Sequence, residues 1–175
     1  MTITMLRFPS ESDWMEVKRR ALVTVGKEPI TPPDRRWKER ILIARHSPIR
    51  YMQFSFLIED IPSWVSVHLC RHVHAQPYVK SQRNDRQDEY DRNAARQDAP
   101  VNMIWDMNAE ELITVVQKRL CGKAAEETRA VLYHMMELVT KACPEFLPVL
   151  VPPCVFNGGV CHEMTPCNLY RSDGP

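Results

Sequence analysis

The chain has 175 residues, of which 44% are hydrophobic, which is enough apolar side chain for one compact core. Its 23 basic and 22 acidic residues nearly cancel, so no global field draws it to nucleic acid or to an anionic membrane. With only five glycines, the sequence has no G-x-G-x-x-G and no P-loop, which excludes Rossmann and P-loop nucleotide sites. We expect one domain over 1–150, followed by a Cys-, Pro- and Gly-rich tail over 151–175.

Two helices and a strand are predicted in the first third of the chain. Apolar residues recur with helical spacing over 10–25, where Gly26 ends the helix, and again over 34–46. Apolar and polar residues alternate over 52–58, which predicts a strand. Pro62 then suits the first turn of a third helix.

Helices also dominate the second half of the sequence. The stretch 84–98 is nearly all polar and predicts a solvated loop or an exposed helix. Helical spacing returns over 108–120 and over 124–142, whereas the segment from Pro144 onward predicts irregular structure. The fold class predicted from these elements is α+β, with at least one antiparallel pairing of strands.

A spaced set of polar residues is the strongest functional signal. Arg71 and His72 come late in the apolar, helix-like segment that starts at Pro62, and Ser81 and Arg83 follow a short extended stretch. Two arginines and a serine in this arrangement suit a nucleoside monophosphate, because a guanidinium group can donate two hydrogen bonds at once to phosphate or carbonyl oxygens. Taken alone, the pattern is also common in residues with a purely structural role.

The same stretch resembles the signature of the flavin-dependent thymidylate synthases. That signature, R-H-R, seven residues and then S-x-R, is matched by Arg71-His72-Val73, seven residues and Ser81-Gln82-Arg83. Other family motifs are matched in the same order, at 20–24 (A-R-V-S), 47–50 (T-P-F-E), 54–56 (F-x-F), Arg96 (R-x-x-L-P) and 108–119 (N-A-R-S-L…R). The resemblance extends from Arg19 to Ala142.

The resemblance implies both a fold and an activity. The fold would be a helix-rich domain around a small, mostly antiparallel sheet. The activity would be the reductive methylation of dUMP to dTMP, with FAD as the flavin, NADPH as the reductant and methylenetetrahydrofolate as the carbon source. It also implies a homotetramer whose active sites are shared between subunits. We expect a cytoplasmic enzyme that binds neither nucleic acid nor membranes.

The resemblance further assigns roles to individual residues. The nucleotide would be bound by Arg71, Ser81, Arg83, Arg96 and, from a neighbouring subunit, Arg119. Three of these, Ser81, Arg83 and Arg96, would also serve the chemistry by positioning and polarising the uracil. The FAD would lie against Thr24, Ser47, His72, Asn108 and Lys123.

Some positions depart from the family pattern and leave alternatives open. Val73 replaces the second arginine of the signature, which removes a cation near the flavin. The segment between Arg83 and Arg96 is also short for the family. The chain would then be a relative that makes another C5 modification of a pyrimidine nucleotide. A further alternative is a non-catalytic protein that binds a nucleotide, or an interaction protein whose tail is held in place by a metal ion.

The six cysteines are expected to be reduced, because the sequence shows no secretory signal peptide. Cys70 and Cys143 fall on predicted helices, where we expect core positions. The remaining four are candidate ligands for zinc or for an iron–sulfur cluster, since soft thiolates suit both. They are Cys121, Cys154, Cys161 and Cys167. Partly buried free thiols would explain this set equally well.

Overall fold

The computed structural model describes residues 1–83, 85, 91 and 93–167. The first half of the chain contains β1 (Thr2–Arg7), α1 (Glu11–Val23), α2 (Arg35–Ile43), a 3₁₀ turn (Ser47–Tyr51), β2 (Gln53–Pro62), α3 (Ser63–Leu69) and β3 (Gln76–Val79). The second half contains β4 (Pro100–Asn108), α4 (Ala109–Leu120), α5 (Glu126–Ala142), a 3₁₀ turn (Pro144–Phe146) and α6 (Pro153–Phe156). Among the described residues, no helix combines the length and the apolarity needed to cross a membrane.

The four strands form one antiparallel sheet in the order β1-β2-β4-β3. The central pair aligns Phe56 with Trp105. Every second side chain is buried along β4 and along β2 as far as Ile58, because successive residues of a strand point to opposite faces, and the register of β2 then shifts before Ile61. The predicted strand over 52–58 is therefore confirmed, and the pairing extends it to Pro62.

Helices α1, α2 and α4 each start at a residue whose side chain accepts a hydrogen bond from a backbone amide that has no partner within the helix. Ser10 caps α1 in a reciprocal capping box with Asp13, and Asp34 accepts a hydrogen bond from the Trp37 amide at 2.7 Å. Asn108 caps α4 in the same way, accepting from the Glu111 amide at 3.0 Å. The four longer predicted helices are confirmed, with ends shifted by no more than three residues, and three of them, α1, α2 and α4, carry these local signals.

The prediction that Arg71 and His72 lie on a helix is wrong. Helix α3 ends at Leu69, and the chain turns at once, since the His72 amide bonds to the Leu69 carbonyl at 3.2 Å. Cys70 occupies the residue just past the helix and is exposed, so its predicted core position is also wrong. Cys143 is 3% exposed, which confirms its core position.

The core fills the space between one face of the sheet and the helices. Phe54 meets Phe146 edge-on, with ring centroids 5.3 Å apart. Val149 and Leu150 are fully buried beside this pair, although the sequence predicts irregular structure there. The chain up to residue 150 therefore contributes to the core. The division into a domain over 1–150 and a separate tail stays a prediction.

Candidate functional site

The end of α1 and the 3₁₀ turn before β2 enclose the first cavity of interest. Thr24 and Ser47, which the family motifs assign to FAD, both line this cavity of about 500 Å³. Trp37 and Arg40 of α2 line it too, together with His46. The Thr24 hydroxyl donates to the Ala21 carbonyl at 2.8 Å, which fixes its orientation at the helix end. The cavity thus combines an aromatic wall, a cation and several polar groups.

A second cluster joins the turn after α3 to helix α4. The Arg119 Nε–H donates to His72 Nε2 at 2.9 Å, and its terminal nitrogen donates to the His68 carbonyl at 2.8 Å. His72 Nδ1 lies 3.6 Å from a carboxylate oxygen of Glu111. The His72 ring also packs against Trp105, with centroids 6.1 Å apart. Arg119 is therefore held in one orientation by two acceptors of its own chain.

The electrostatics of this cluster follow from burial. Burial, together with the nearby positive charges of Arg119 and Lys118, lowers the pKa of His72 to about 4. Burial also raises the pKa of Glu111 and lowers that of Arg119. His72 is neutral at neutral pH, so its approach to Glu111 is not an ion pair. Since Nε2 accepts from arginine, the single ring proton sits on Nδ1.

The predicted nucleotide arginines lie on the surface near the β3 edge of the sheet. Arg83 donates to Asp85 at 2.8 Å, and Arg96 donates to Asp98 at 2.8 and 3.0 Å. Hydrogen bonding to these aspartates raises the pKa of both arginines. Both pairs are largely exposed to solvent.

Two further predicted nucleotide residues and one cavity complete this region. Arg71 is exposed, and the Ser81 hydroxyl accepts from the Arg83 amide at 3.3 Å. Arg96 shares a cavity of about 350 Å³ with Trp64 and Gln82. This surface therefore offers cationic donors beside an aromatic ring.

The remaining predicted flavin residues lie elsewhere. Asn108, which caps α4, lines another cavity of about 350 Å³ together with Arg50 and His74. Lys123 is exposed in the turn between α4 and α5. The structure thus joins Thr24 to Ser47 and His72 to Arg119. It does not collect all the predicted site residues in one cavity of a single chain.

Glu111 is a buried charged residue beside His72 that the sequence interpretation missed. Its carboxylate is 8% exposed beside His72, on the face of α4 that carries the core residues. A signal existed, because Glu111 is followed by Leu112 and Ile113 on a predicted helix, and an acidic residue is rarely buried unless it has a polar partner.

The four predicted metal-binding cysteines line a single cavity of about 270 Å³. Burial raises the pKa of the Cys121 thiol, and neighbouring Glu163, Cys167 and Cys154 add to this rise. In the part of the chain that the structure describes, no three metal-ligating side chains already stand in a metal-binding arrangement. All six cysteines are free thiols.

Comparison with known proteins extends these observations. The family model described as thymidylate synthase complementing protein matches residues 87–145, a segment that includes Arg96, Asn108 and Arg119. No curated protein sequence matches the chain significantly.

Two solved structures show the same fold. The chain is similar to thymidylate synthase X from Helicobacter pylori, solved with FAD and dUMP, with a TM-score of 0.67 and 14% identity over 86% of this chain and 97% of that one. It is also similar to the UMP/dUMP methylase PolB from Streptomyces cacaoi, solved with 5-Br dUMP, with a TM-score of 0.67 and 15% identity over 87% of this chain and 97% of that one.

These findings test the expectations drawn from the sequence. The predicted α+β class, with helices around a small antiparallel sheet, is confirmed. The matched family segment contains Arg119 but neither Arg71 nor Ser81, and the solved structures share the fold of the chain. The resemblance to the flavin-dependent thymidylate synthases is thereby confirmed, and the chain has the fold of that family.

Proposed function

We propose that the chain is an FAD-dependent methylase that converts dUMP to dTMP, with NADPH as reductant and methylenetetrahydrofolate as carbon source. One observation carries the proposal: Thr24 and Ser47, assigned to FAD by separate sequence motifs, line the same cavity. The similar Helicobacter pylori protein was solved with FAD and dUMP, and the similar Streptomyces cacaoi protein is a UMP/dUMP methylase. Both structures contain dUMP or its 5-bromo derivative, which supports a uracil nucleotide as the substrate of this chain.

The residues around the first cavity fit part of an FAD molecule. A volume of about 500 Å³ is within the range of small-molecule sites. The Trp37 ring offers a flat apolar surface, and Arg40 offers a guanidinium of the kind that recognises phosphate oxygens. The hydroxyls of Thr24 and Ser47 add hydrogen-bonding groups. When bound, FAD would supply the reducing equivalents that turn a transferred methylene into a methyl group.

The exposed arginines suit the nucleotide. The aspartates that now hold Arg83 and Arg96 form solvent-exposed ion pairs, which typically contribute little stability. A phosphate dianion can therefore replace either carboxylate and accept a bidentate pair of hydrogen bonds. Fixed cationic donors would also stabilise negative charge on a uracil carbonyl during attack by C5. We assign positioning and polarisation of the uracil to Ser81, Arg83 and Arg96, with Arg71 as a further phosphate ligand.

Arg119 is the best-oriented of the proposed nucleotide ligands. Its contacts with His72 and with the His68 carbonyl fix the guanidinium before any ligand binds. Such pre-orientation lowers the entropy that binding must remove from a long side chain. His72 thus serves Arg119 as an acceptor in addition to its predicted place beside the flavin, where Asn108 and Lys123 would also lie.

The working unit proposed here is a homotetramer with shared active sites. The FAD-side residues and the nucleotide-side residues line different cavities of one chain, which supports a site completed by surfaces from more than one subunit. Several large apolar side chains are exposed on the single chain, including Ile30 at 94% and Val73 at 79%. Light scattering at assay concentration should give a tetramer mass, and a monomer mass would contradict shared sites.

A second candidate function rests on Val73. This side chain is exposed where the family signature carries a cation, so the wall of the flavin site differs in charge. A changed wall favours a relative that modifies C5 of a pyrimidine nucleotide with another one-carbon group. Mass spectrometry of the product formed from dUMP distinguishes the two functions, because the added mass identifies the group.

The visible absorption spectrum of the purified full chain, before and after addition of dUMP, tests the proposal. Two flavin bands that shift with dUMP are expected, since the nucleotide would stack on the isoalloxazine ring. Formation of dTMP in the presence of NADPH and methylenetetrahydrofolate should follow. A protein that stays colourless after incubation with FAD would contradict the flavin-dependent function and favour a non-catalytic nucleotide-binding protein.

A further inference from the structure

We propose that Cys121, Cys154, Cys161 and Cys167 bind one zinc ion, which fastens the tail of the chain to the end of helix α4. The four thiols come from three separate parts of the chain and line the same cavity of about 270 Å³. Cys121 follows the last residue of α4, Cys154 lies in α6, and the other two belong to the segment after it. The proposal is independent of the proposed enzymatic function.

The backbone between α6 and the tail directs Cys161 toward this cavity. Gly158 and Gly159 both adopt left-handed conformations, with φ of 66° and 93°. The Gly159 amide bonds back to the Cys154 carbonyl at 2.7 Å, so the chain reverses direction just after the helix. Glycine adopts such angles without the strain that a side chain would bring. After this reversal Cys161 lines the same cavity as Cys154.

The set of donors matches zinc in number and in kind. Structural zinc sites are usually tetrahedral and take four cysteine or histidine ligands, and thiolates are soft donors that suit this ion. His162 lines the same cavity and offers a substitute donor. The described side chains do not yet stand in a metal-binding arrangement. Rotation about the Cα–Cβ bond moves a cysteine sulfur between staggered positions, so convergence requires side-chain rotation and adjustment of the irregular tail.

Beyond Pro152, which is buried, and Phe156, which packs partly buried against the core, the described tail has little apolar surface with which to hold itself in place. Val155, Val160 and Met164 are all exposed, and the last of these is completely so. Ordering such a segment costs conformational entropy that the hydrophobic effect does not offset here. Zinc binding contributes directly to the free energy of folding at sites of this kind. The ion would therefore hold the tail against the core.

The position of the site also links it to Arg119. Cys121 stands two residues after Arg119 and closes the C-terminal end of α4. A metal at Cys121 would fix this helix end, and with it the backbone that carries the arginine. We therefore expect loss of the metal to loosen the Arg119–His72 contact.

Metal analysis of the full chain, purified with zinc in the growth medium and without chelators, tests the proposal. We expect about one zinc ion per chain. Replacement of zinc by Co²⁺ should give the intense thiolate-to-metal absorption of a tetrahedral site. Cys161→Ser and Cys167→Ser should lower the zinc content and the melting temperature, because each removes one ligand. Cys70→Ser is the matched control, since Cys70 is exposed and lies outside this cavity.

Three results would overturn the zinc site. The first is a wild-type chain that holds no zinc and whose melting temperature is unchanged by a chelator. The second is iron with acid-labile sulfide, which would identify a cluster instead. The third is disulfide bonds among the four cysteines, seen by intact mass as a loss of two hydrogens per bond. Cobalt titration of the folded wild-type chain decides the question even if the serine variants fail to fold.

Discussion

Arg119 donates its Nε–H to Nε2 of His72 at a distance of 2.9 Å, so a neutral imidazole orients a guanidinium in this protein. The pair links the end of α4 to the turn after α3, and the His68 carbonyl completes the hold on the arginine. Protonation of His72 would break the contact, because Nε2 would then carry a hydrogen and could no longer accept one from the arginine. The proposed nucleotide site therefore depends on a histidine that stays neutral.

The first prediction concerns this acceptor. His72→Ala should weaken dUMP binding by about 10- to 100-fold, the usual range for loss of a hydrogen bond to a charged group. His72→Gln should weaken it less, since the amide oxygen can still accept from Arg119. His134→Ala is the control, because His134 is exposed on α5. Isothermal titration with dUMP measures the three affinities.

Equal dUMP affinity in His72→Ala and the wild-type chain would contradict the positioning role. Loss of affinity in His134→Ala would show that any histidine change disturbs the fold.

The second prediction is a pH dependence of stability. The pKa of His72 falls from 6.5 to about 4 on folding, so the unfolded chain binds the extra proton first as the pH drops. The free energy of unfolding should decrease between pH 6.5 and about 4, by up to about 3 kcal/mol from this residue. The raised pKa of Glu111 acts in the opposite direction, because protonation of its carboxyl favours the folded state.

Urea unfolding across this pH range measures the slope for the wild-type chain and for His72→Gln. The variant should lose the histidine contribution and show a flatter profile. Identical profiles would mean that His72 does not titrate with the expected shift.

The third prediction concerns the exposed arginines. Arg83→Ala and Arg96→Ala should each weaken dUMP binding by about 1.5–3 kcal/mol if their guanidinium groups bind the nucleotide. Arg35→Ala is a matched control, because Arg35 also makes a 2.8 Å exposed ion pair, with Glu39 on α2. The measurement is the dUMP dissociation constant. Unchanged affinity in both site variants would show that the motif does not bind dUMP.

The fourth prediction tests the cavity beside Thr24 and Ser47. Ala44 lines this cavity but is exposed, so Ala44→Phe should fill the space without disturbing the core. FAD binding should fall by at least about 10-fold, because the ring would occupy the volume the cofactor needs. Ala142→Phe, at the exposed end of α5, serves as control. Quenching of FAD fluorescence measures both affinities, and full binding by Ala44→Phe would place the cofactor elsewhere.

The fifth prediction restores the missing cation of the signature. Val73 is 79% exposed, so Val73→Arg should fold normally and should raise the affinity for FAD, whose phosphates carry negative charge. Leu147→Arg adds the same charge at another exposed apolar position. An equal gain in both variants would indicate a general charge effect. No gain in Val73→Arg would mean that this position does not face the cofactor.

The sequence predicted most of the helices because their signals are local. Ser10, Asp34 and Asn108 each mark a helix start through contacts within three residues. Strands β1 and β4 were not predicted individually, although Ile3 and Met5, and the buried residues of β4, alternate as a strand requires. These short patterns do not identify a strand by themselves, because β1 and β4 each form by pairing with β2, which is distant in the sequence.

The sequence motifs name candidate site residues, whereas the contacts among those residues could not be predicted. The family motifs named His72 and Arg119, yet their hydrogen bond depends on how α4 packs against the turn after α3. The same limit explains the error at Arg71 and His72. The apolar run from Pro62 gives no signal for the turn that starts at Cys70.

Strand β3 determines how the sheet ends on one side. It has only four residues and carries Pro77, which has no backbone N–H to offer a further strand. Short edge strands with proline resist strand-to-strand aggregation. Copies of this protein should therefore not join their sheets through β3, even at the high concentrations reached during overexpression or refolding. Any assembly on this side must therefore form through side-chain contacts and not through strand pairing. The surface around Arg83 then depends on the molecules that bind there.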